Sequence, residues 1–359
     1  PDEYNSHLRS DVLSLLAWLR PVSFLSPPSF MSRWPFLLLL TLLAAMLTLP
    51  VVSLGLSWLQ WNAEVAQVLG EMASTVLPQY TLTTLWLSLA VALGVTLVGL
   101  CTASAVTLFD FAGRRFFEWA LLLPLAMPAY VVAYAYTDFL QFSGPLQVGL
   151  REAFGWQGRV FPEIRNTAGA AWVFTFSLYP YVYLLARTAL GERASQLMEA
   201  ARLLGAPLGR RIREVALPLA RPAVAAGVAL ALMETLADYG VSSYFGIQTF
   251  TAGIYKAWLA MDNRLAAAQL ATVLLVVVAL LLKLERSAQQ RMRFALVKGG
   301  ARSGAEAQPV RLRGGHRALA WLVCGLPVLL GFVLPVLFML RPLVDGWAEL
   351  NWKPFVGWA

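Results

Sequence analysis

The sequence is short of charge, cysteine and histidine. Of its 359 residues only 13% are Asp, Glu, Lys or Arg, about half the share usual in a soluble domain. Two cysteines occur, Cys101 and Cys324, each inside an apolar block. That excludes a disulfide framework and suits small buried side chains. The two histidines, His7 and His316, lie in flanking polar segments, so no zinc or di-iron site can be assembled from them. No phosphate-binding G-x-x-x-x-G-K-[ST] loop is present, since Lys298-Gly299-Gly300 has the wrong spacing and sits in a polar stretch. The chain therefore cannot hydrolyse ATP by itself. H-E-x-x-H and G-x-S-x-G are also missing, as is any Cys–His pairing that would suggest catalysis.

What the chain has in quantity is apolar surface. The hydrophobic share is 58% and the mean hydropathy is +0.63. Glycine at 26 and proline at 20 are too few for a collagenous or disordered chain. The apolar residues come in long blocks that exclude charge, as a bilayer requires. The net charge of +8 would suggest nucleic acid in a soluble protein. Here the basic residues separate apolar blocks, which reads as loop charge that sets orientation, with lipid as the surrounding partner and no nucleic acid.

A span needs about 20 mostly apolar residues. Seven are expected: Trp34 to Leu59, Thr84 to Phe109, Trp119 to Leu140, Ala168 to Ala186, a fifth after Arg221, Leu265 to Leu282, and Ala318 to Leu340. With the N-terminus cytoplasmic, roughly three quarters of the 28 lysines and arginines fall in cytoplasmic segments. Arg151, Arg159 and Arg165 are the awkward exceptions, because they fall outside.

The expected organisation has four parts. Residues 1–30 have no clear helical pattern and read as an extension upstream of a start at Met31. Residues 31–285 form a first six-span domain whose first span is an uncleaved anchor. Residues 286–317 are a basic cytoplasmic linker. Residues 318–359 hold the first span and outer loop of a truncated second domain, because Leu49-Pro50-Val51 recurs as Leu334-Pro335-Val336.

The most specific stretch lies in the cytoplasmic loop 187–221. Leu197, Ala201, Leu204 and Leu208 are expected on one helical face, with Glu199 and Arg202 off it. Gly205 can end that helix in the left-handed conformation, and Pro207 prevents its continuation. Leu217-Pro218 then starts the next span. A short helix of this kind, joined rigidly to a span, can fill a groove in a partner and transmit movement, or can rest on lipid.

Glu199-Ala200-Ala201, three residues, Gly205, nine residues, Val215, one residue and Leu217-Pro218 together resemble the EAA loop of ABC importer permeases. Val215 stands where isoleucine is usual. Other stretches resemble the ferric-iron members of that family, some of which fuse two halves in one chain. They are Asp110-Phe111-Ala112-Gly113-Arg114-Arg115, Leu123-Pro124-Leu125-Ala126-Met127-Pro128-Ala129-Tyr130, Phe161-Pro162-Glu163-Ile164-Arg165, Leu178-Tyr179-Pro180-Tyr181-Val182-Tyr183 and Met233-Glu234-Thr235-Leu236-Ala237-Asp238-Tyr239-Gly240.

The resemblance implies an all-α polytopic type I importer permease in the bacterial inner membrane, a six-span half plus the first span of a second half. Glu199, Ala200, Ala201, Gly205, Leu217 and Pro218 would couple to a cytoplasmic ATPase dimer, and ATP and Mg would bind that partner rather than this chain. A periplasmic binding protein would deliver the cargo, ferric iron first, with thiamine, polyamine, phosphonate or an oxyanion as alternatives. The missing second permease half would be a further partner.

Candidate pathway residues follow from polarity inside spans. Glu234 and Asp238 are four apart and expected on one face of the fifth span. Such acids cost about 2.5–3.5 kcal/mol at a helix centre, so they face protein or water. Tyr130, Tyr134 and Asp138 make a stripe on a third span expected to kink at Pro124 and Pro128, and Tyr181 lies on the fourth. Hard oxygen ligands of this kind suit a ferric ion. The alternative is that the acids bond neighbouring helices or mark the outer end of the span, and the tyrosines pack at the membrane interface. A remote alternative is an intramembrane enzyme using Glu234 and Asp238.

Overall fold

The computed structural model describes residues 34–191, 195–298 and 310–345. The expected extension 1–30, the middle of the linker and the outer loop after residue 345 lie outside the described residues.

Two units form. The first holds α1, Trp34–Leu56. Its 23 residues reach about 34 Å at 1.5 Å per residue, enough to cross a hydrocarbon core of about 30 Å. None of its residues is buried. Its hydroxyls bond within the helix: Thr48 Oγ1 donates to the Ala44 carbonyl at 2.8 Å and Ser53 Oγ to that of Pro50 at 2.7 Å. Polar groups in an apolar setting need such internal partners.

The second unit begins with α2, Ala63–Thr75, capped by Asn62, whose side chain accepts from the Val65 amide. The long α3, Leu77–Leu108, follows with Pro78 in its first turn. A two-residue strand β1, Phe109–Asp110, leads to α4, Arg114–Ala120, a 3-10 turn Leu123–Ala126, and α5, Ala129–Leu140. Beyond lie α6, Pro145–Phe154, α7, Thr167–Ala189, α8, Ser195–Leu203, and α9, Leu208–Arg211. A π-turn, Ile212–Ala216, opens into α10, Leu217–Ala237. The short α11, Gly240–Phe245, and α12, Phe250–Tyr255, precede α13, Arg264–Lys298. Strand β2, Val310–Arg311, leads to α14, Gly315–Val328, a π-turn Leu329–Val333, and α15, Leu334–Asp345.

Six helices among the described residues are long and apolar enough to cross a membrane, seven if a bent pair counts as one span. The third expected span falls within that pair, Arg114–Ala126 and Ala129–Phe154. It bends by 89° rather than kinking. Met127, which precedes Pro128, is extended at φ −113° and ψ 126°, the region a following proline imposes. The sixth helix runs on to Lys298, well past the apolar stretch. The helical architecture carries one addition that the sequence did not suggest: β1 and β2 pair in parallel, Phe109 opposite Val310 and Asp110 opposite Arg311. Asp110 and Arg311 also form an ion pair at 3.7 Å.

The core lies where α3, α7 and α10 meet, with α13 packed on α10. Small residues allow that approach, since packing rather than water expulsion holds helices together in lipid. Ala220, Ala223, Ala226 and Ala229 are buried along α10. A side chain at Gly227 would meet the Val182 Cα at 2.6 Å. Gly227→Val should therefore force α7 and α10 apart, a cost of about 1–3 kcal/mol, read as a lower unfolding midpoint in detergent. An unchanged midpoint would mean that the two helices do not touch there.

The last span sits against α5 and α7. Tyr136 Oη donates to the Leu330 carbonyl at 2.6 Å, and Phe139 stacks on Phe338 with centroids 3.8 Å apart.

Candidate functional site

Two places collect the residues singled out from the sequence: the cytoplasmic loop and a cavity beside the break in the third span.

In the loop, Gly205 adopts φ +80°. Its amide bonds the Arg202 carbonyl at 2.9 Å, and the Ala206 amide bonds that of Ala201 at 3.0 Å. These two bonds are the left-handed helix stop in which carbonyls left over at the C-terminus are satisfied. Pro207 follows with φ −66° and ψ 153°, so α8 ends where the spacing predicted. Glu199 pairs with Arg202 at 3.4 Å.

The face of α8 is not the expected one. Met198 is 6% exposed and Ala201 and Leu208 are half-buried, whereas Leu197, Leu203 and Leu204 face outward. Leu203 and Leu204 are 82% and 88% exposed. The reversal at Gly205 carries the chain away before Leu204 can rejoin the helical stripe, and Met198 takes the inward position. Ala200 is exposed and Glu199 half-buried. The outcome is a pair of exposed leucines beside a rigid stop.

Leu217 and Pro218 open α10. The Leu217 amide reaches back to the Ile212 carbonyl in the π-turn. Pro218 follows where the π-turn gives way to α10, and its missing amide leaves one bond of the ladder unmade at that junction. The segment from Leu208 to Ala237 is thus one continuous membrane helix fed directly by the loop.

The cavity has a volume of about 360 Å³. Tyr130, Tyr181, Glu234 and Asp238 line it, with Tyr239 and Ser177 and an apolar wall that includes Leu125, Met127 and Pro128. Four of the six expected pathway residues therefore share one space. Tyr134 and Asp138 lie off it: Tyr134 is exposed with its ring 5.9 Å from that of Tyr244, and Asp138 is half-buried further along α5. The break at Pro128 turns α5 so that its first turn, carrying Tyr130, meets the cavity.

Glu234 and Asp238 do not share a helical face. The helix stops at Ala237, and Asp238 is extended at φ −71° and ψ 125°. Its Oδ1 accepts from the Val241 amide at 2.8 Å, so it caps α11. Both carboxylates still reach the same cavity, because the chain turns there instead of continuing as a helix.

Ser177 and Tyr239 were not singled out beforehand. Ser177 is 2% exposed, and its Oγ has no hydrogen-bond partner among the described residues. The hydroxyl lines the cavity with Tyr181 and Glu234. The Tyr239 ring is held by stacking on Tyr255, centroids 3.8 Å apart. No lysine, arginine or histidine lines the cavity, so its carboxyl groups, Glu234 and Asp238, have no basic side chain beside them in the lining. Among the described residues no group of three or more His, Cys, Asp or Glu could cage a metal ion.

The family described as binding-protein-dependent transport system inner membrane component matches residues 95–293. The probable sulfate transport system permease protein cysT of Chlorokybus atmophyticus is 30% identical over 220 residues, 58% of this chain and 70% of that one. The Fe(3+)-transport system permease protein FbpB 2 of Haemophilus influenzae is 26% identical over 194 residues, 54% of this chain and 34% of that one. The chain thus spans about a third of the iron relative's length. A chain of a bacterial alginate ABC transporter, solved in complex with an alginate pentasaccharide-bound periplasmic protein, superposes with a TM-score of 0.54 at 18% identity. That match covers 76% of this chain and 98% of the other, and shows the shared fold.

Proposed function

The chain belongs to the family of binding-protein-dependent transport system inner membrane components, and from that premise we propose that it is the membrane subunit of an ATP-driven importer passing a cation, ferric iron foremost, through the cavity at Glu234 and Asp238. The family is one of multi-pass inner-membrane transport components and not of enzymes, so the two carboxylates are read as part of a path.

The observation that carries the cargo reading is the cavity's charge. Relatives named for sulfate and for Fe(3+) stand at similar identity, so likeness does not choose between them. Physics favours the cation. Two like charges about 5 Å apart repel by about 3 kcal/mol at an effective dielectric of about 20. An anion beside Glu234 and Asp238 meets that repulsion from each, and no basic side chain in the lining offsets it. Carboxylates and phenols are also hard oxygen donors, the kind a ferric ion takes.

The loop supplies the drive. The exposed Leu203 and Leu204 would seat in a groove of an ATPase subunit, where ATP and Mg act, and its closure would pull α8. Because Leu208–Ala237 is one helix, that pull reaches Glu234 directly.

Orientation is read with the N-terminus cytoplasmic. The three arginines that run against the charge bias are each engaged locally. Arg151 Nη2 donates to the Phe142 carbonyl at 3.0 Å. Arg159 pairs with Glu163 at 3.7 Å. Arg165 Nη2 donates to the Tyr244 carbonyl at 2.6 Å.

The test uses inside-out membrane vesicles that hold the complete transporter, with the binding protein enclosed and ATP added outside. Ferric-loaded binding protein should stimulate ATP hydrolysis several-fold, and sulfate-loaded protein should not. Stimulation by the sulfate-loaded form alone would remove the cation reading.

A further inference from the structure

An ionic contact joins α4, which leads to the cavity wall, to α7, which packs along the helix fed by the loop. Glu118, on α4, reaches Arg187 in the last turn of α7: Oε2 to Nη2 is 3.0 Å. Its other oxygen meets Arg114 Nε at 3.4 Å, one turn back on the same helix. Tyr183 Oη donates to the Glu118 carbonyl at 3.3 Å, so α7 holds α4 at two points. The Glu118 side chain is 23% exposed and that of Arg187 35%, which places the pair between a surface bridge and a buried one.

Each partner leads somewhere. Arg187 lies in the last turn of the helix that packs along α10. Helix α4 leads through the 3-10 turn to the break whose Leu125, Met127 and Pro128 form the apolar wall of the cavity. On its far side α4 is fixed by Phe117, whose ring lies edge-on to Trp321 with centroids 4.9 Å apart.

We infer that Glu118 is a positioning residue that ties the loop's movement to the broken third span. When α8 is pulled, α10 moves and carries α7, which packs along it, and the Glu118 carboxylate draws α4 and the cavity wall with it. Without that tie, α7 and α10 move while the wall stays, and ATP is consumed with little cargo passed. This inference rests on the proposed transport function.

The experiment measures cargo taken up per ATP hydrolysed in vesicles with the complete transporter, its ATPase and ferric-loaded binding protein. Glu118→Gln and Arg187→Gln should each lower that ratio about tenfold while ATP hydrolysis stays within about twofold, because truncating a partly buried pair removes the link and strands one partner. Arg187→Lys should keep the ratio near wild type, since the charge across the contact remains. Arg114→Gln should also keep it, because an i, i+4 pair within one helix links nothing between helices. A ratio unchanged in the Gln variants, or uptake and hydrolysis lost together, would overturn the inference. Failure of the wild type to couple ATP to ferric uptake would instead remove the functional reading beneath it.

Discussion

Replacing Gly205 with valine should abolish ATP-driven uptake while the membrane helices stay folded. Nothing lies within 4 Å of where a side chain would begin, so the cost is confined to the backbone. At φ +80° an L-residue clashes with its own carbonyl, and a β-branched one most of all, at roughly 1–3 kcal/mol. The exposed loop relieves that strain by leaving the left-handed region. It then loses the bonds from the Gly205 and Ala206 amides, and Leu203 and Leu204 point elsewhere. A loss of uptake greater than tenfold is expected, with yield and unfolding midpoint unchanged. Gly205→Asn, which tolerates the left-handed region better than other residues, should keep much of the activity. Equal loss in both variants would mean that the side chain's presence matters rather than the turn.

The second large effect is expected at Glu234. Its carboxylate lines the cavity and makes no ion pair among the described residues, so its charge can be removed without breaking a structural contact. Glu234→Gln should lower ferric uptake about tenfold, the scale of a 1.4 kcal/mol change in local attraction, and Glu234→Lys should abolish it. Asp238 is the poorer probe, because it also caps α11 through the Val241 amide and its loss costs about 1 kcal/mol of local stability. The sign of the lysine effect separates the cargoes: uptake of a sulfate-like anion would rise in Glu234→Lys. Ferric uptake at the wild-type rate in both variants would place the path elsewhere.

These sites were legible to different degrees. The loop stop at Gly205 could be read because its causes are local: a glycine, a proline two residues on, and apolar spacing before them. The face that α8 buries could not, because it depends on where the chain goes after the turn, and Met198 rather than Leu204 takes the inward position. Pro124 and Pro128 announced an interruption of the third span, but the 89° bend depends on what packs against each piece. Glu234 and Asp238 were placed together for an incomplete reason. Four-residue spacing implied a shared helical face, whereas the helix ends at Ala237 and the turn itself brings Asp238 round. Ser177 gave no signal, since a serine inside an apolar helix usually bonds its own backbone. The two-residue pairing of β1 with β2 is too short to leave a pattern.

The most direct measurement is ATP-dependent uptake of radiolabelled ferric iron by vesicles holding the complete transporter, its ATPase and the loaded binding protein, with sulfate followed in parallel. Iron that accumulates only with ATP, while sulfate stays outside, is the result expected of an acidic path driven through the loop at Gly205. Sulfate accumulation without iron would contradict it.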